Sequence, residues 1–358
     1  MLRPLSDWTT PRSFRLQSSA NMRAKILAVA LAAVILLPAL VSRGADTLPA
    51  SLTDQEFWKL VTDFSEPGGN FVFEMYMSNE ETFQDILPEL LRRVQPGGVY
   101  LGVAPEQNFT YISALHPKMA FIIDIRRENM VQMLMYKALF EMSPSRADFL
   151  SKLFSRTLRS TPRPQASVDE VFNALAPGRG DPQLLAQNVQ AIKVRLQKTH
   201  GFAMTSKDLQ TIDYIAGLFF RGGPDAHLTT YGTTFRQLMR LDDGQGRNRN
   251  FLAADSNYQF VREMQHRNLI VPVVGDFAGP KALRAIARYL QGYAAEVTAF
   301  YVSNVEEYIQ SPQATWAAYC RNITALPVNA SSTFIRFGRG GRGSFLGPMR
   351  SFAASCPR

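Results

Sequence analysis

Four continuous apolar runs of strand length constrain the fold of this sequence more than any other feature. They occupy residues 99–103, 119–125, 269–276 and 297–302. Turn residues bound the first run, and helical patterns follow the runs along the chain. Because apolar strands that alternate with helices are typical of parallel βαβ units, the sequence predicts an α/β fold with a mostly parallel sheet covered by helices.

The alternation of strands and helices is interrupted once. Helical patterns without strand signals fill residues 143–250, which we interpret as a helical insertion. It separates a first part of the sheet domain, at 46–142, from a second part at 251–337, whose last strand is expected at 332–337. A basic tail rich in glycine and arginine follows at 338–358.

An apolar segment near the amino terminus carries the prediction on location. Residues 26–41 follow two basic residues, and this run of about 16 residues is nearer the length of a secretory signal than the ~20 residues that span a bilayer. We therefore predict that 22–45 is a signal peptide or membrane anchor of an exported bacterial protein, periplasmic or attached to the inner membrane. A buried core helix is the alternative. The polar extension 1–21 is also compatible with a true start at Met22.

Composition limits the classes of partner. The chain is 46% hydrophobic and has a net charge of +9, part of which lies in the leader and the carboxyl-terminal arginines, so no specific nucleic-acid face is expected. The histidines and cysteines have no metal-ligand spacing, so no metal site is predicted. In an oxidising compartment Cys320 and Cys356 could form a disulfide.

Local signals predict the elements that precede the first apolar run. Thr53 and Glu56 have the spacing of a capping box at the start of a helix of about ten residues. Residues 71–75 are interpreted as a short strand or an extended arm, and a helix is expected at 78–94.

The loops after the four apolar runs contain the candidate ligand-binding side chains. In a doubly wound sheet, ligands bind outside the carboxyl ends of the strands, because loops and helix amino termini converge there. These loops contain Glu106, Asp124, Asp276, Asn304 and Glu306. We expect a small polar or nucleotide-like ligand at this edge of the sheet.

The order of these motifs resembles that of the class I S-adenosylmethionine-dependent methyltransferases. The resemblance covers about 80–337 apart from the insertion, and it lies in motif order more than in identity. It implies a Rossmann-like, doubly wound, mostly parallel sheet with a helical insertion. In that family a glycine-bearing turn follows the first strand, and an acidic residue at the end of the second strand binds the ribose. An Asp after the third strand can meet the adenine, and a polar motif at the fourth lies near the transferred methyl.

The resemblance implies a role for individual residues of this sequence. Gly102 corresponds to the first turn, Asp124 to the ribose position and Asp276 to the adenine position. Ser303 and Asn304 correspond to the polar motif at the fourth strand.

The first loop departs from the family's pattern. Ala104, Pro105 and Glu106 stand where the family has a glycine-rich turn, so a backbone donor is lost and a long side chain is added. Glu106 is expected to contact the methionine ammonium of the cofactor. Asn304 or Glu306 would orient the methyl acceptor.

Each carboxylate also has a structural interpretation. Asp124 could pair with Arg126 or Arg127, which follow it closely. Asp276 could cap the helix that is expected from about residue 280, and Glu106 could cap the helix after its own loop. The sequence is consistent with both the ligand-binding role and the structural role of each carboxylate.

Two functions therefore remain open for this chain. The first is an exported methyltransferase-like protein that binds S-adenosylmethionine or a related small molecule. The second is a non-catalytic envelope protein that keeps the fold and binds a partner or ligand. The second is supported by the predicted export, because S-adenosylmethionine is made in the cytoplasm.

Overall fold

The structure of the protein is a computed structural model that describes residues 46–225, 227, 232–338 and 343–356. The predicted extension 1–21 and the predicted signal or anchor 22–45 lie outside the described residues. Within the described ranges, no helix combines the length and the apolar character that a bilayer crossing requires.

A six-stranded sheet forms the centre of the molecule. Its strands are β1 (Val99–Gly102), β2 (Met119–Asp124), β3 (Ile270–Val274), β4 (Val297–Ser303), β5 (Val328–Gly338) and β6 (Gly343–Pro348). They lie in the order β3-β2-β1-β4-β5-β6, and all neighbours are parallel except β5 and β6. In the register, Leu101 of β1 lies between Phe121 of β2 and Phe300 of β4. The prediction of an α/β fold with a mostly parallel sheet is confirmed.

The carboxyl-terminal edge of the sheet differs from the predicted tail. β5 is longer than the strand expected at 332–337, and β6 pairs antiparallel with it in the region interpreted as a tail. Cys320 and Cys356 form a disulfide, with 5.8 Å between their Cα atoms. The disulfide that the sequence allowed is therefore present, and it fixes the chain after β6 to the domain.

Helices cover the sheet and fill the long connection between β2 and β3. They are α1 (Asp54–Phe64), α2 (Leu87–Arg93), α3 (Gln107–Leu115), α4 (Arg127–Glu141), α5 (Arg146–Phe154), α6 (Val168–Asn173), α7 (Pro182–Val194), α8 (Ser206–Gly222), α9 (Phe235–Arg240), α10 (Asp255–His266), α11 (Ala282–Gly292), α12 (Val305–Ile309) and α13 (Gln313–Thr324). A single π-helical turn, Arg195–Thr199, continues α7.

The start of α1 follows directly from its sequence. Thr53 Oγ1 accepts a hydrogen bond from the Glu56 amide at 3.2 Å, and Glu56 Oε2 accepts one from the Thr53 amide at 2.8 Å. These reciprocal bonds satisfy two amides that a helix start leaves without intrahelical partners. The predicted capping box is confirmed.

An aromatic cluster joins the long helical connection to the helices of the sheet. The ring of Phe140 on α4 lies 5.0 Å from Phe109 on α3 and 4.7 Å from Phe149 on α5, measured between centroids. Phe251 and Tyr258 pack on the same rings. Residues 143–250 therefore share a hydrophobic core with the sheet domain, and Asp46–Arg358 forms one compact unit.

The segment before β1 is less regular than predicted. Residues 71–75 form a loop, and turns replace most of the helix expected at 78–94, so that only α2 remains helical. The reason is long-range hydrogen bonding. Gln84 donates to the Leu241 carbonyl at 2.7 Å, and the Ser78 hydroxyl donates to Gln107, so these side chains hold the backbone in turns.

Candidate functional site

A cavity of about 730 Å³ lies at the carboxyl ends of β1, β2, β3 and β4. Its volume falls in the range of roughly 300–1,000 Å³ that is usual for small-molecule sites. The loop of residues 71–80 and the short helix α12 complete its walls. Of the residues predicted from the sequence, Asp124, Asp276, Ser303 and Asn304 line this cavity.

Two strand ends at the cavity have an unusual backbone conformation. Ala104, just after β1, has a φ of 62°, and Ser303, the last residue of β4, has a φ of 51°. Residues other than glycine rarely adopt this left-handed region, and such strain is concentrated at functional sites. These two turns direct the loops after β1 and β4 toward the cavity.

Asp124 lies at the end of β2 and is held by local donors. Its Oδ1 accepts from the Arg126 amide at 2.9 Å, and its Oδ2 accepts from Asn129 Nδ2 at 2.7 Å. Burial raises the pKa of Asp124, and these hydrogen bonds oppose the rise. Neither guanidinium forms a salt bridge with Asp124: the charge of Arg126 lowers its pKa from a longer distance while Arg126 donates to Tyr76 Oη, and Arg127 binds Asp208. The ion-pair interpretation is therefore wrong.

Asp276 does not cap the helix that follows it. Its Oδ1 accepts from the Ala278 amide at 2.8 Å, which closes a turn. Glu66 caps α11 instead, because its Oε1 accepts from the amides of Lys281 and Ala282 at 2.9 and 3.0 Å. The capping interpretation of Asp276 is wrong, and its side chain remains at the cavity wall.

Glu80 is a cavity residue that the sequence did not reveal. It accepts a hydrogen bond from the Ser303 hydroxyl, although 223 residues separate the two, and another from Gln107 Nε2 at 3.2 Å. Burial raises the pKa of Glu80, whereas the bonds from Ser303, Tyr301 and Gln107 oppose the rise. In the sequence, Glu80 lies at the start of a predicted helix. Acidic residues are common there because they interact favourably with the helix dipole, so the sequence does not mark Glu80 as a site residue.

Gly102 is needed for internal packing and does not line the cavity. A Cβ at this position would overlap the Asn108 side chain. Asn108 folds back under the loop, and its Nδ2 donates to the carbonyls of Val103, Ala104 and Pro105 at 2.8–2.9 Å. Asn108 therefore holds the loop after β1, and Gly102 leaves room for it.

Glu106 also differs from its prediction. Its side chain is fully buried below the loop, and its Oε1 accepts from the Ser78 amide at 3.0 Å. Burial raises its pKa to about 7, against the effect of this hydrogen bond. Glu106 neither lines the cavity nor caps α3 with its side chain, because its carboxyl satisfies the Ser78 amide.

Glu306 is paired within the fold. Its carboxylate binds Arg336 of β5, with 2.9 Å between Arg336 Nη2 and Oε1, and Tyr319 Oη donates to the same oxygen at 2.9 Å. It is absent from the cavity wall. Asn304 alone of the two predicted catalytic residues lines the cavity.

Aromatic side chains surround the outer part of the cavity. We define the aromatic rim as Phe71, Phe73 and Tyr308. The ring of Phe71 lies 4.9 Å from Tyr308 and 5.9 Å from Phe73, and Phe73 is 40% exposed. The rim therefore presents ring surface to solvent beside the cavity.

Among the residues whose positions the structure describes, three or more His, Cys, Asp or Glu side chains do not come together in a metal-binding arrangement.

No curated protein matches the chain. A family described as a domain of unknown function (DUF7790) matches residues 75–211 and 225–345, and these ranges include Glu80, Asp124, Asp276, Ser303 and Asn304. Because the match covers more than half of the chain, this protein belongs to the DUF7790 family.

Proposed function

We propose that this domain is Rossmann-like and binds a nucleoside-containing ligand in the cavity, with S-adenosylmethionine as the first candidate and methyl transfer as the activity. The observation that carries the proposal is that Asp124, Asp276, Ser303 and Asn304, which lie at the ends of three different strands, all line one cavity. The strand order agrees with it, because a doubly wound sheet reverses its order between β1 and β4, where dinucleotide-type ligands bind.

The residues present are compatible with this ligand. Ala104 has a φ of 62°, the left-handed conformation that glycine adopts most readily, which is compatible with a tight turn after β1. Glu106 points away from the cavity, which removes the steric objection raised by its long side chain. Asp124 would accept from the ribose hydroxyls, and Asp276 would meet the adenine.

S-adenosylmethionine would supply an electrophilic methyl group. Asn304 would position the methyl acceptor, since it lines the cavity beside Ser303. Glu306 is excluded from this role by its pairing with Arg336.

A non-catalytic envelope-binding protein is the second candidate. It is favoured by the apolar segment 22–45, which predicts export away from the compartment where S-adenosylmethionine is made. In that case the same cavity would bind a ligand without reaction.

Calorimetric titration of the full chain with S-adenosylmethionine and S-adenosylhomocysteine tests the proposal. We expect saturable binding that Asp124→Asn weakens by roughly 10- to 100-fold, since a hydrogen bond to a charged group is lost. Asp63→Asn, which changes an exposed carboxylate on α1, is the matched control and should bind normally. Absence of saturable binding at millimolar concentrations of both compounds would rule out the proposed ligand.

A further inference from the structure

Carboxylates dominate the charged groups of the cavity wall. Glu80, Asp124 and Asp276 line it, and Arg126 is the one basic residue among the described lining residues. The Arg126 guanidinium is already bound, because it donates to Tyr76 Oη at 2.9 Å and lies over the Tyr76 ring. In a chain whose net charge is +9, this cavity is a local concentration of negative charge.

A buried acceptor beside Asp124 lacks a partner. Asn129 lines the cavity, is 5% exposed and donates through Nδ2 to Asp124, while its Oδ1 has no hydrogen-bond partner among the described residues. A buried polar atom without a partner is costly, so a ligand that brings a donor is favoured here. Together with the carboxylates, this atom makes the cavity rich in acceptors.

Aromatic rings form a second kind of surface in the same cavity. Phe71 and Tyr308 of the aromatic rim line it, and so do Phe277, Tyr301 and Phe337. The faces of aromatic rings attract organic cations, and the attraction grows when water is excluded. Carboxylates and rings together suit a compound that carries positive charge on an apolar body.

We propose that the cavity binds an organic ammonium compound as its second ligand, beside the nucleoside, with Glu80 as the counter-charge and the aromatic rim as the apolar wall. This inference rests on the proposed function because it uses the same cavity and names the class of the second substrate.

A comparison of choline with its neutral isostere 3,3-dimethylbutan-1-ol tests the proposal. The two compounds differ in charge and little in shape, so ligand-observed NMR titration of the full chain isolates the contribution of the charge. We expect choline to bind at least about tenfold more tightly than the alcohol. Glu80→Gln should abolish this preference, and Glu89→Gln, an exposed carboxylate on α2, should retain it.

Phe71→Leu provides a second variant, because it removes a ring from an irregular loop and keeps the side chain apolar. It should weaken choline binding several-fold and leave binding of the alcohol nearly unchanged. Urea denaturation of each variant verifies that it is folded.

Equal affinity for choline and the alcohol, or a preference that persists in Glu80→Gln, would overturn the inference. If S-adenosylmethionine binds and choline does not, the inference fails while the proposed function stands. If choline binds with the expected preference and S-adenosylmethionine does not, the cation site stands and the nucleoside proposal fails.

Discussion

Two sets of buried carboxyl groups in this molecule differ in how their charge is compensated. Near the cavity, Glu80, Glu106 and Asp124 accept hydrogen bonds from neutral donors and form no salt bridge with another described residue. At the carboxyl-terminal end of α4, Glu141 belongs to a cluster of ionic side chains, which we call the ion cluster: Asp54, Lys137, Glu141, Arg195 and His200.

The ion cluster satisfies its charges internally. Lys137 Nζ lies 2.7 Å from Glu141 Oε1, and each of these side chains is 1% exposed. His200 bridges two carboxylates, with Nε2 2.7 Å from Glu141 Oε2 and Nδ1 2.8 Å from Asp54 Oδ1. Burial opposes ionisation of Glu141, but the His200 hydrogen bond and the Lys137 charge outweigh it and lower its pKa to about 2.

The pKa values of the carboxyl groups near the cavity are shifted in the opposite direction. Burial raises the pKa of Glu80, Glu106 and Asp124, since the hydrogen bonds they accept compensate only part of the lost hydration. Burial alone therefore does not determine the protonation state of a carboxyl group in this fold. The carboxylates of the ion cluster are paired with basic side chains, whereas the carboxyl groups near the cavity accept hydrogen bonds from neutral donors alone.

Among the variants that test this comparison, Lys137→Met should cause the largest loss of stability. It removes the buried cation beside Glu141 and keeps a side chain of similar length, so the free energy of unfolding should fall by about 3–5 kcal/mol. Lys59→Met is the matched control, because Lys59 and Asp63 form the same i, i+4 pair at the surface, where Lys59 is 74% exposed. The control should cost less than about 1 kcal/mol in urea denaturation. Equal losses in the two variants would contradict a special role for the buried pair.

Glu141 should make the free energy of unfolding vary with pH. Since its folded pKa of about 2 lies below the ordinary 4.5, its stabilising effect is complete above pH 4.5 and is lost as the pH falls toward 2. Between pH 6 and pH 3, the stability advantage of the unaltered protein over Glu141→Gln should shrink by about 2 kcal/mol.

Glu263→Gln controls for the removal of an acidic side chain, because Glu263 pairs with Arg267 at the surface. Denaturant midpoints measured across the pH range should show little change for this variant relative to the unaltered protein. An advantage over Glu141→Gln that grows at low pH would show the wrong sign for a lowered pKa.

Over the range from pH 6 to pH 8, Glu106 should have a smaller effect on stability, of opposite sign to that of Glu141. Its folded pKa of about 7 lies above 4.5, so the folded state binds a proton more tightly and loses stability as the pH rises through 7. Relative to Glu106→Gln, the unaltered protein should lose about 1 kcal/mol between pH 6 and pH 8. Gln retains an acceptor for the Ser78 amide, and Glu89→Gln serves as the exposed control. A stability difference that does not vary with pH would contradict this assignment.

Local patterns predicted much of the fold and part of the site. The strands at 99–103, 119–125 and 297–302 were expected within a residue or so of β1, β2 and β4, because a buried parallel strand is a continuous apolar run. α10 was not expected, although its buried residues Tyr258, Val261 and Met264 recur at helical spacing, and β6 was not expected either. β6 depends on pairing with β5, which is a long-range contact.

For the site, the sequence by itself determined which strand ends carry polar side chains, because the end of an apolar run is visible locally. It therefore indicated Asp124, Asp276, Ser303 and Asn304, all of which line the cavity. The tertiary structure decided which way each side chain points. It directed Glu106 to the Ser78 amide and Glu306 to Arg336.

The same dependence on tertiary structure explains why Glu80 was missed. Its contact with Ser303 joins residues 223 positions apart and requires the left-handed turn at the end of β4. Hydrophobic periodicity records which face of an element is buried, and it contains no information on which distant donor or acceptor a polar side chain will meet. The sequence alone thus determined the layers and the edge where the cavity lies. Only the folded chain decided which carboxylates reach it.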